Sequence, residues 1–267
     1  MNVIVCFKQV IDPEAPPSTF KIDPATNKVV PPAGVAPVVD PYGENAVEAA
    51  LKIKDAKGAK VIAVSMGVNL LRDVVKKPLS MGADELILLE DPAFVDGDSW
   101  STAYALAMAI KKIGNYDLIL TGREASDWNA GQVGPGIAEI LGLPSITLVK
   151  KIEVLDGNKI KVERLITDGY EVLEAPLPAV LTISNEIGEP RYPTIKGIMA
   201  AKKKEPVVWK PADIGVNPAQ IGAAGRRTKM FKLYQPVREG KCEVVSADTP
   251  EETAAKLALK LREAKIL

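Results

Sequence analysis

Five short apolar runs, spaced along the first 150 residues and separated by helical text, most constrain what this chain can become. They read "VIVCF" (3–7), "KVIAVSMG" (60–67), "ELILLED" (85–91), "DLILTG" (117–122) and "SITLV" (145–149). Each is rich in β-branched or branched apolar residues without polar alternation, as expected of strands buried on both faces. Between them lie "ENAVEAALKIKDAKG" (44–58), with Ala46, Val47, Ala50, Leu51 and Lys54 at helix spacing and Gly58 as a stop, and "DSWSTAYALAMAIKKIG" (98–114), with Asp98 or Ser99 as cap. Residues 68–81 also read as a helix, weakened by Pro78, and residues 131–141 as another. Strands alternating with such helices predict an α/β fold with a doubly wound, mostly parallel sheet.

The texture departs from this pattern in two places. A long Pro-rich connection, residues 12–40, follows the first strand, and connections of that length are functional or disordered in most compact domains. After Lys150, "KKIEVLDGNKIKVERLI" predicts a hairpin turning at Asp156-Gly157. "YEVLEAPLPAVLTIS" (170–184) then adds two strands broken by Pro176 and Pro178. "IKGIMAAKKK" predicts a short basic helix. Residues 206–225 are dominated by Pro, Gly and Ala and read as an extended arm, and "TPEETAAKLALKLREAKIL" closes the chain as an amphipathic helix capped by Thr249 with Pro250 in its first turn. We therefore expect an α/β domain over residues 1–205 and an arm plus helix over 206–267. A sparse arm with one helix seldom makes its own core, so it is expected to pack on a partner.

Composition removes several functions. Lys plus Arg equals Asp plus Glu at 34 each, which gives none of the basic surplus that nucleic-acid binding uses to displace phosphate counterions. No apolar stretch approaches the roughly 18 residues of a membrane span, and the N-terminus is too short and strand-like for a signal peptide, so a cytoplasmic location is expected. Histidine is absent, which makes triad hydrolysis and ordinary zinc chemistry improbable. Cys6 and Cys242 fit no metal-ligand spacing, and no nucleophile stands beside a base.

In open parallel sheets, ligands settle beyond the carboxyl ends of the strands. Cys6 and Lys8, Met66 and Gly67, and the run Thr121 to Ala125 all sit at such ends. There "SDWNAGQVGPGIAEILG" (126–142) opens a helix with three glycines. A helix start offers free N–H donors and partial positive charge, so a nucleotide phosphate is one reading, and glycines serving packing alone is the other. Neither a P-loop nor G-x-G-x-x-G is present. Glu124 and Asp127 can orient ribose hydroxyls or solvate a loop, and Lys8 can pair with a phosphate or with Glu44. Cys6 and Met66 can wall an adenine ring or fill core, and Trp128 can stack on a ligand or shield the loop.

Several segments together carry a family resemblance: "VCFKQVID", "DPYGENAVEAALKIKD", "VIAVSMG", "LSMGADE", "GREASDWNAGQVG", "VERLITDGYEVLEAPLPAV" and "NEIGEPRYPTIKGIMAAKKK". Over nearly its full length the chain resembles the β subunit of electron-transfer flavoprotein. The resemblance implies a Rossmann-like fold of the adenine-nucleotide α-hydrolase type, a C-terminal arm that embraces an α subunit carrying the electron-transferring FAD, and a β-subunit site for AMP or, in electron-bifurcating members, a second FAD. Carried over by position, that site is Cys6, Asp40, Gly43, Met66, Ala125, Gly131, Gln132, Val133 and Gly134, with Arg123 and Asp127 in the same turn. Residues 189–199 resemble the loop that docks flavoprotein dehydrogenases such as acyl-CoA dehydrogenases, through Glu189, Pro190, Arg191, Tyr192, Met199 and an apolar anchor at Ile195.

The chain departs from the family pattern at Asp40, where many members carry Asn, at Leu165, where many are acidic, and at Thr167 and Asp168. Residues 98–114 and 131–144 resemble the bifurcating members more than the AMP-binding ones, whereas Trp128 stands where those members have glycine. The resemblance therefore leans towards a second FAD, with NAD(H) as electron donor if the protein bifurcates electrons. The competing reading is an adenine-nucleotide sensor of the same fold, which would lack the arm and the "EPRY" loop.

Overall fold

A computed structural model describes residues 1–236, 240 and 242–267. In chain order the strands are β1 (Asn2–Phe7), β2 (Gln9–Val10), β3 (Lys21–Asp23), β4 (Lys28–Val30), β5 (Val38–Val39), β6 (Lys60–Gly67), β7 (Glu85–Glu90), β8 (Leu118–Gly122), β9 (Ser145–Leu155), β10 (Lys159–Ile166), β11 (Gly169–Pro176), β12 (Ala179–Ile183) and β13 (Val207–Trp209). The helices are α1 (Pro41–Lys57), α2 (Arg72–Val75), α3 (Lys77–Met81), α4 (Ser99–Ile113), α5 (Val133–Leu141), α6 (Ile195–Lys203), α7 (Gly222–Gly225) and α8 (Pro250–Glu263).

Nine strands form one sheet in the order β11-β10-β9-β12-β8-β1-β6-β7-β13. In that order every neighbouring pair from β9 to β13 is parallel, and β10 pairs antiparallel with both β9 and β11. Successive side chains of β1 leave opposite faces of the sheet. Val3, Val5 and Phe7 join a core under α1 and α3, while Ile4 and Cys6 join a second core under α4 and α5. This is the expected doubly wound α/β layering. α1 has complete end signals: Asp40 caps its start, Pro41 occupies its first turn, and Gly58 ends it in the left-handed region at φ 67°.

Three features differ from a simple reading of the sequence. The fifth parallel strand and the first hairpin strand are one continuous β9, which crosses from parallel to antiparallel pairing through an irregularity where Leu148 takes φ 56° and its N–H donates to Thr182 Oγ1 at 3.0 Å. Residues 68–81 hold two short helices separated at Lys76. The Pro-rich connection is ordered as the ribbon β3–β4 followed by β5, which pairs back onto β2.

Two compact units result, Met1–Phe231 and Lys232–Leu267. Residues 206–225, expected as part of an extended arm, lie within the first: β13 extends the sheet edge beside β7, and Ile214, Val216 and Ile221 are buried in the α4 and α5 core. In the second unit, Thr249 Oγ1 caps α8 by accepting from the Glu252 N–H at 3.2 Å, and Lys260 pairs with Glu243. α8 buries none of its residues, and Leu257 and Leu259 stay exposed. Among the described residues no helix is long and apolar enough to cross a membrane.

Candidate functional site

The chain leaves β1 for β6 on one side and later returns to place β8 on the other side of β1. The region beyond the carboxyl ends of β1 and β8 is therefore the switch point at which such sheets bind ligands. Gly122 and Gly43 let the backbone close in around it. A Cβ on Gly122 would lie 2.7 Å from Tyr42 Cβ, and one on Gly43 would lie 3.1 Å from Phe7 Cβ.

Asp40 holds this region together. Its carboxylate accepts the Gly43 N–H at 3.1 Å as the α1 cap and the Ser126 N–H at 2.8 Å in the turn after β8. Its own N–H donates to the Lys8 carbonyl at 2.8 Å, and the residue is only 2% exposed. Asp40 is thus a tie between α1, the segment after β1, and the turn. Each carboxylate oxygen already takes a backbone donor.

The turn itself is tight. The Ala125 carbonyl accepts from the Trp128 and Asn129 N–H groups at 3.1 and 2.8 Å, and Asn129 and Gly131 both take positive φ, 49° and 63°. Gln132, the residue before α5, gives the helix no side-chain cap, so the first-turn N–H groups of Val133 and Gly134 keep the donor capacity and positive end of the dipole. Ser126 Oγ is buried with no hydrogen-bond partner. Both features suit an anionic, hydroxyl-bearing ligand. Gly134 also has a packing role, since a Cβ there would lie 2.6 Å from Thr182 Cγ2 and 2.7 Å from Thr121 Oγ1. The packing reading of this glycine therefore holds.

Charged side chains line the mouth as pairs. Lys8, past β1, bridges to Asp127, past β8, at 2.7 Å. It does not pair with Glu44, which bonds Lys77 instead. Arg123 pairs with Glu124 at 2.9 Å, with its guanidinium 5.2 Å from the centre of the Tyr42 ring. Cys6 is buried in the α4 and α5 core, and that burial pushes its thiol up to about 12, so it can wall a site but not act as a thiolate. Met66 is half-buried against the same core. Trp128 is 62% exposed, so its indole stands largely in solvent. Two concavities, of about 410 and 350 Å³, lie elsewhere: one between α1 and β9, the other at the opposite, amino end of β1, β6 and β7. No group of three or more His, Cys, Asp or Glu among the described residues could hold a metal ion.

A second cluster surrounds residues 189–199. Thr194 caps α6 by accepting the Gly197 N–H at 3.0 Å, and Gly197 rests against α3 so closely that a Cβ would fall 2.3 Å from the Ser80 carbonyl oxygen. Tyr192, Ile195 and Met199 are 95%, 80% and 60% exposed, an apolar group of a kind that marks interaction sites. Glu189 is exposed and Pro190 half-buried. Arg191 behaves differently. Its guanidinium turns inward onto two α1 carboxylates, Glu48 at 2.8 Å and Asp55 at 2.8 Å. Sequence reasoning passed over Ser126, Tyr42, Glu48 and Asp55. The i, i+7 spacing of Glu48 and Asp55 on one helix face was the available signal for the last two.

Residues 29–214 match the family model described as electron transfer flavoprotein domain. The chain is 40% identical over 268 residues, all of both chains, to the caffeyl-CoA reductase–Etf complex subunit CarD of Acetobacterium woodii. It is 40% identical over 264 residues, 98% of both, to the electron transfer flavoprotein subunit beta of Clostridium acetobutylicum. With protein FixA of Azorhizobium caulinodans it shares 36% identity over 243 residues, 88% of this chain and 85% of that one. The doubly wound sheet and the full-length similarity agree, and the chain belongs to the electron transfer flavoprotein family as a β-type subunit.

Proposed function

We propose that the chain works as the β half of an αβ heterodimer, holding an adenine nucleotide in the crevice between β1 and β8 and docking a flavoprotein dehydrogenase through residues 189–199. The observation that carries the nucleotide reading is the conjunction, in one turn, of a buried unpartnered hydroxyl on Ser126 and the uncapped start of α5. In this reading the Val133 and Gly134 N–H groups receive phosphate oxygens. Ser126 Oγ donates to the nucleotide, and Cys6 and Met66 supply apolar wall. Lys8 and Asp127 hold the rim, where Lys8 can turn to a phosphate and Asp127 to a ribose hydroxyl.

The nucleotide proposed is a second FAD. The resemblance of residues 98–114 and 131–144 to bifurcating members supports it, as does the solvent-facing indole of Trp128, which does not fill the turn. When bound, a flavin supplies one- and two-electron redox chemistry, with NADH as donor. The chain's own residues bind and orient it and carry no proton in the process. Lys232–Leu267 is the arm in this reading, with the exposed Leu257 and Leu259 of α8 meeting the α subunit.

The test separates the two surfaces. Ser126→Ala weakens adenine nucleotide binding at the β site by about three- to tenfold for the loss of one buried hydrogen bond, read as nucleotide lost from that site alone in the purified complex. It leaves dehydrogenase docking intact. Ile195→Ala does the reverse. If Ser126→Ala keeps full nucleotide content, the crevice assignment is wrong.

A further inference from the structure

Four α1 side chains at helix spacing, Asn45, Glu48, Lys52 and Asp55, grip one short stretch of chain ahead of the exposed apolar group. Lys52 Nζ donates to the Ile187 carbonyl at 2.7 Å, and Asn45 Nδ2 donates to the Gly188 carbonyl at 3.3 Å. Glu48 Oε2 accepts from both the backbone N–H and Nε of Arg191, at 3.1 and 2.8 Å. Arg191 Nη2 reaches Glu48 Oε1 at 3.0 Å and Asp55 Oδ2 at 2.8 Å. Glu48 is 4% exposed, so this fork is partly withdrawn from water, where charge-assisted bidentate pairs are strongest. The Glu48 hydrogen bonds lead in holding the guanidinium pKa above its usual range. The next residue, Tyr192, is 95% exposed. Beyond it the Thr194 cap and the Gly197 contact with Ser80 fix the other end. The segment is fastened at both ends with its apolar side chains between them.

We propose that Arg191 is a positioning residue rather than a contact residue: through Glu48 and Asp55 it sets residues 189–194 in their docking conformation before a partner arrives. The proposal rests on the reading of residues 189–199 as the docking segment. Association loses free energy to the ordering of loops and side chains, and a segment already ordered avoids that loss. Removing Arg191 therefore weakens docking without altering the electron-transfer step itself.

The experiment uses the complete αβ complex and a purified acyl-CoA dehydrogenase as the probe, with the complex as the varied substrate. Arg191→Ala is expected to raise KM about tenfold while kcat stays within twofold and the flavin spectrum is unchanged. Arg191→Lys, which can reach one carboxylate but not both, falls between. Asp55→Asn, at a site already 61% exposed and so harmless to the core, raises KM about two- to threefold and carries the test even if Arg191→Ala fails to assemble. Amide exchange over 189–194 accelerates at least tenfold in Arg191→Ala, and the salt dependence of KM is unaltered.

Faster exchange with an unchanged KM overturns the proposal. A flattened salt dependence overturns it too, since that marks a guanidinium touching the partner. If Ile195→Ala leaves KM unchanged, or the wild-type complex shows no saturable transfer with this enzyme, the docking reading fails first and the proposal falls with it.

Discussion

Replacing Asp40 tests whether its carboxylate is a structural tie or a group addressed to the nucleotide. In Asp40→Ala, two backbone donors lose their acceptor at a position that is 2% exposed. Loss of a helix N-cap costs about 1 kcal/mol. Leaving the Ser126 N–H buried without a partner costs about 1–3 kcal/mol more. The sum, about 2–4 kcal/mol, is a large fraction of the roughly 5–15 kcal/mol that holds a typical domain together. Asp40→Asn keeps one acceptor oxygen for two donors and should cost about half as much. The assay is urea unfolding of the complex at fixed concentration, with amide exchange followed over 41–44 and 125–129. Both segments should exchange faster in the alanine variant, and nucleotide content should fall because the turn presenting Ser126 loses its anchor. An Asp40→Ala complex that unfolds within about 0.5 kcal/mol of wild type with unchanged exchange in the turn refutes the reasoning, because a residue serving only the ligand would leave the empty turn as stable as before.

Further outcomes follow from single contacts. Gly134→Ala places a methyl group 2.6 Å from Thr182 Cγ2, so α5 must lift from the sheet at a cost of about 1–3 kcal/mol, read as a lower unfolding midpoint together with lost nucleotide. At pH 8, iodoacetamide should modify Cys242, which is exposed, and spare Cys6, whose thiol is pushed up to about 12 by burial; peptide mass spectrometry before and after denaturation reads both sites. For Asp98, burial works against ionisation, but hydrogen bonds from the Ser101, Thr228 and Arg227 N–H groups and from the Thr228 hydroxyl outweigh it and hold the carboxyl at about 2. A depressed carboxylate pKa gives stabilisation that is present above the ordinary value of 3.8 and is lost as pH falls towards 2. Protection factors over 225–231, in which the intrinsic pH dependence of amide exchange is divided out, should therefore fall between pH 4 and 2 in wild type and show little pH dependence in Asp98→Asn.

The layered fold was legible because its signal is local. Unbroken apolar runs mark strands covered on both faces, and Gly58 marks the end of α1, whereas its start three residues before Glu44, at Pro41 with Asp40 as cap, was hidden at the end of the Pro-rich connection. Residues 206–225 were misleading for a physical reason: Ile214, Val216 and Ile221 are dispersed among Pro, Gly and Ala without period, so nothing in the text shows that they enter the core. The continuity of β9 depends on Leu148 at φ 56°, a conformation that leucine does not advertise. At the site, a glycine looks the same whether it faces a phosphate or a threonine methyl group. Gly134 shows its second role only once Thr182 is placed beside it. Lys8 could be expected to find a carboxylate or a phosphate, but finding Asp127, more than a hundred residues away, requires β1 and β8 to be neighbours. Arg191 read as a surface contact until α1 supplied Glu48 and Asp55 to hold it.

The most direct measurement is the nucleotide content of the αβ complex, released by denaturation and quantified by chromatography. The account predicts two FAD per heterodimer, one of them lost when Ser126 is replaced by alanine. One FAD with one AMP would keep the crevice but replace its occupant. A single FAD with no further adenine nucleotide would contradict the claim that the turn after β8 and the start of α5 form a nucleotide site.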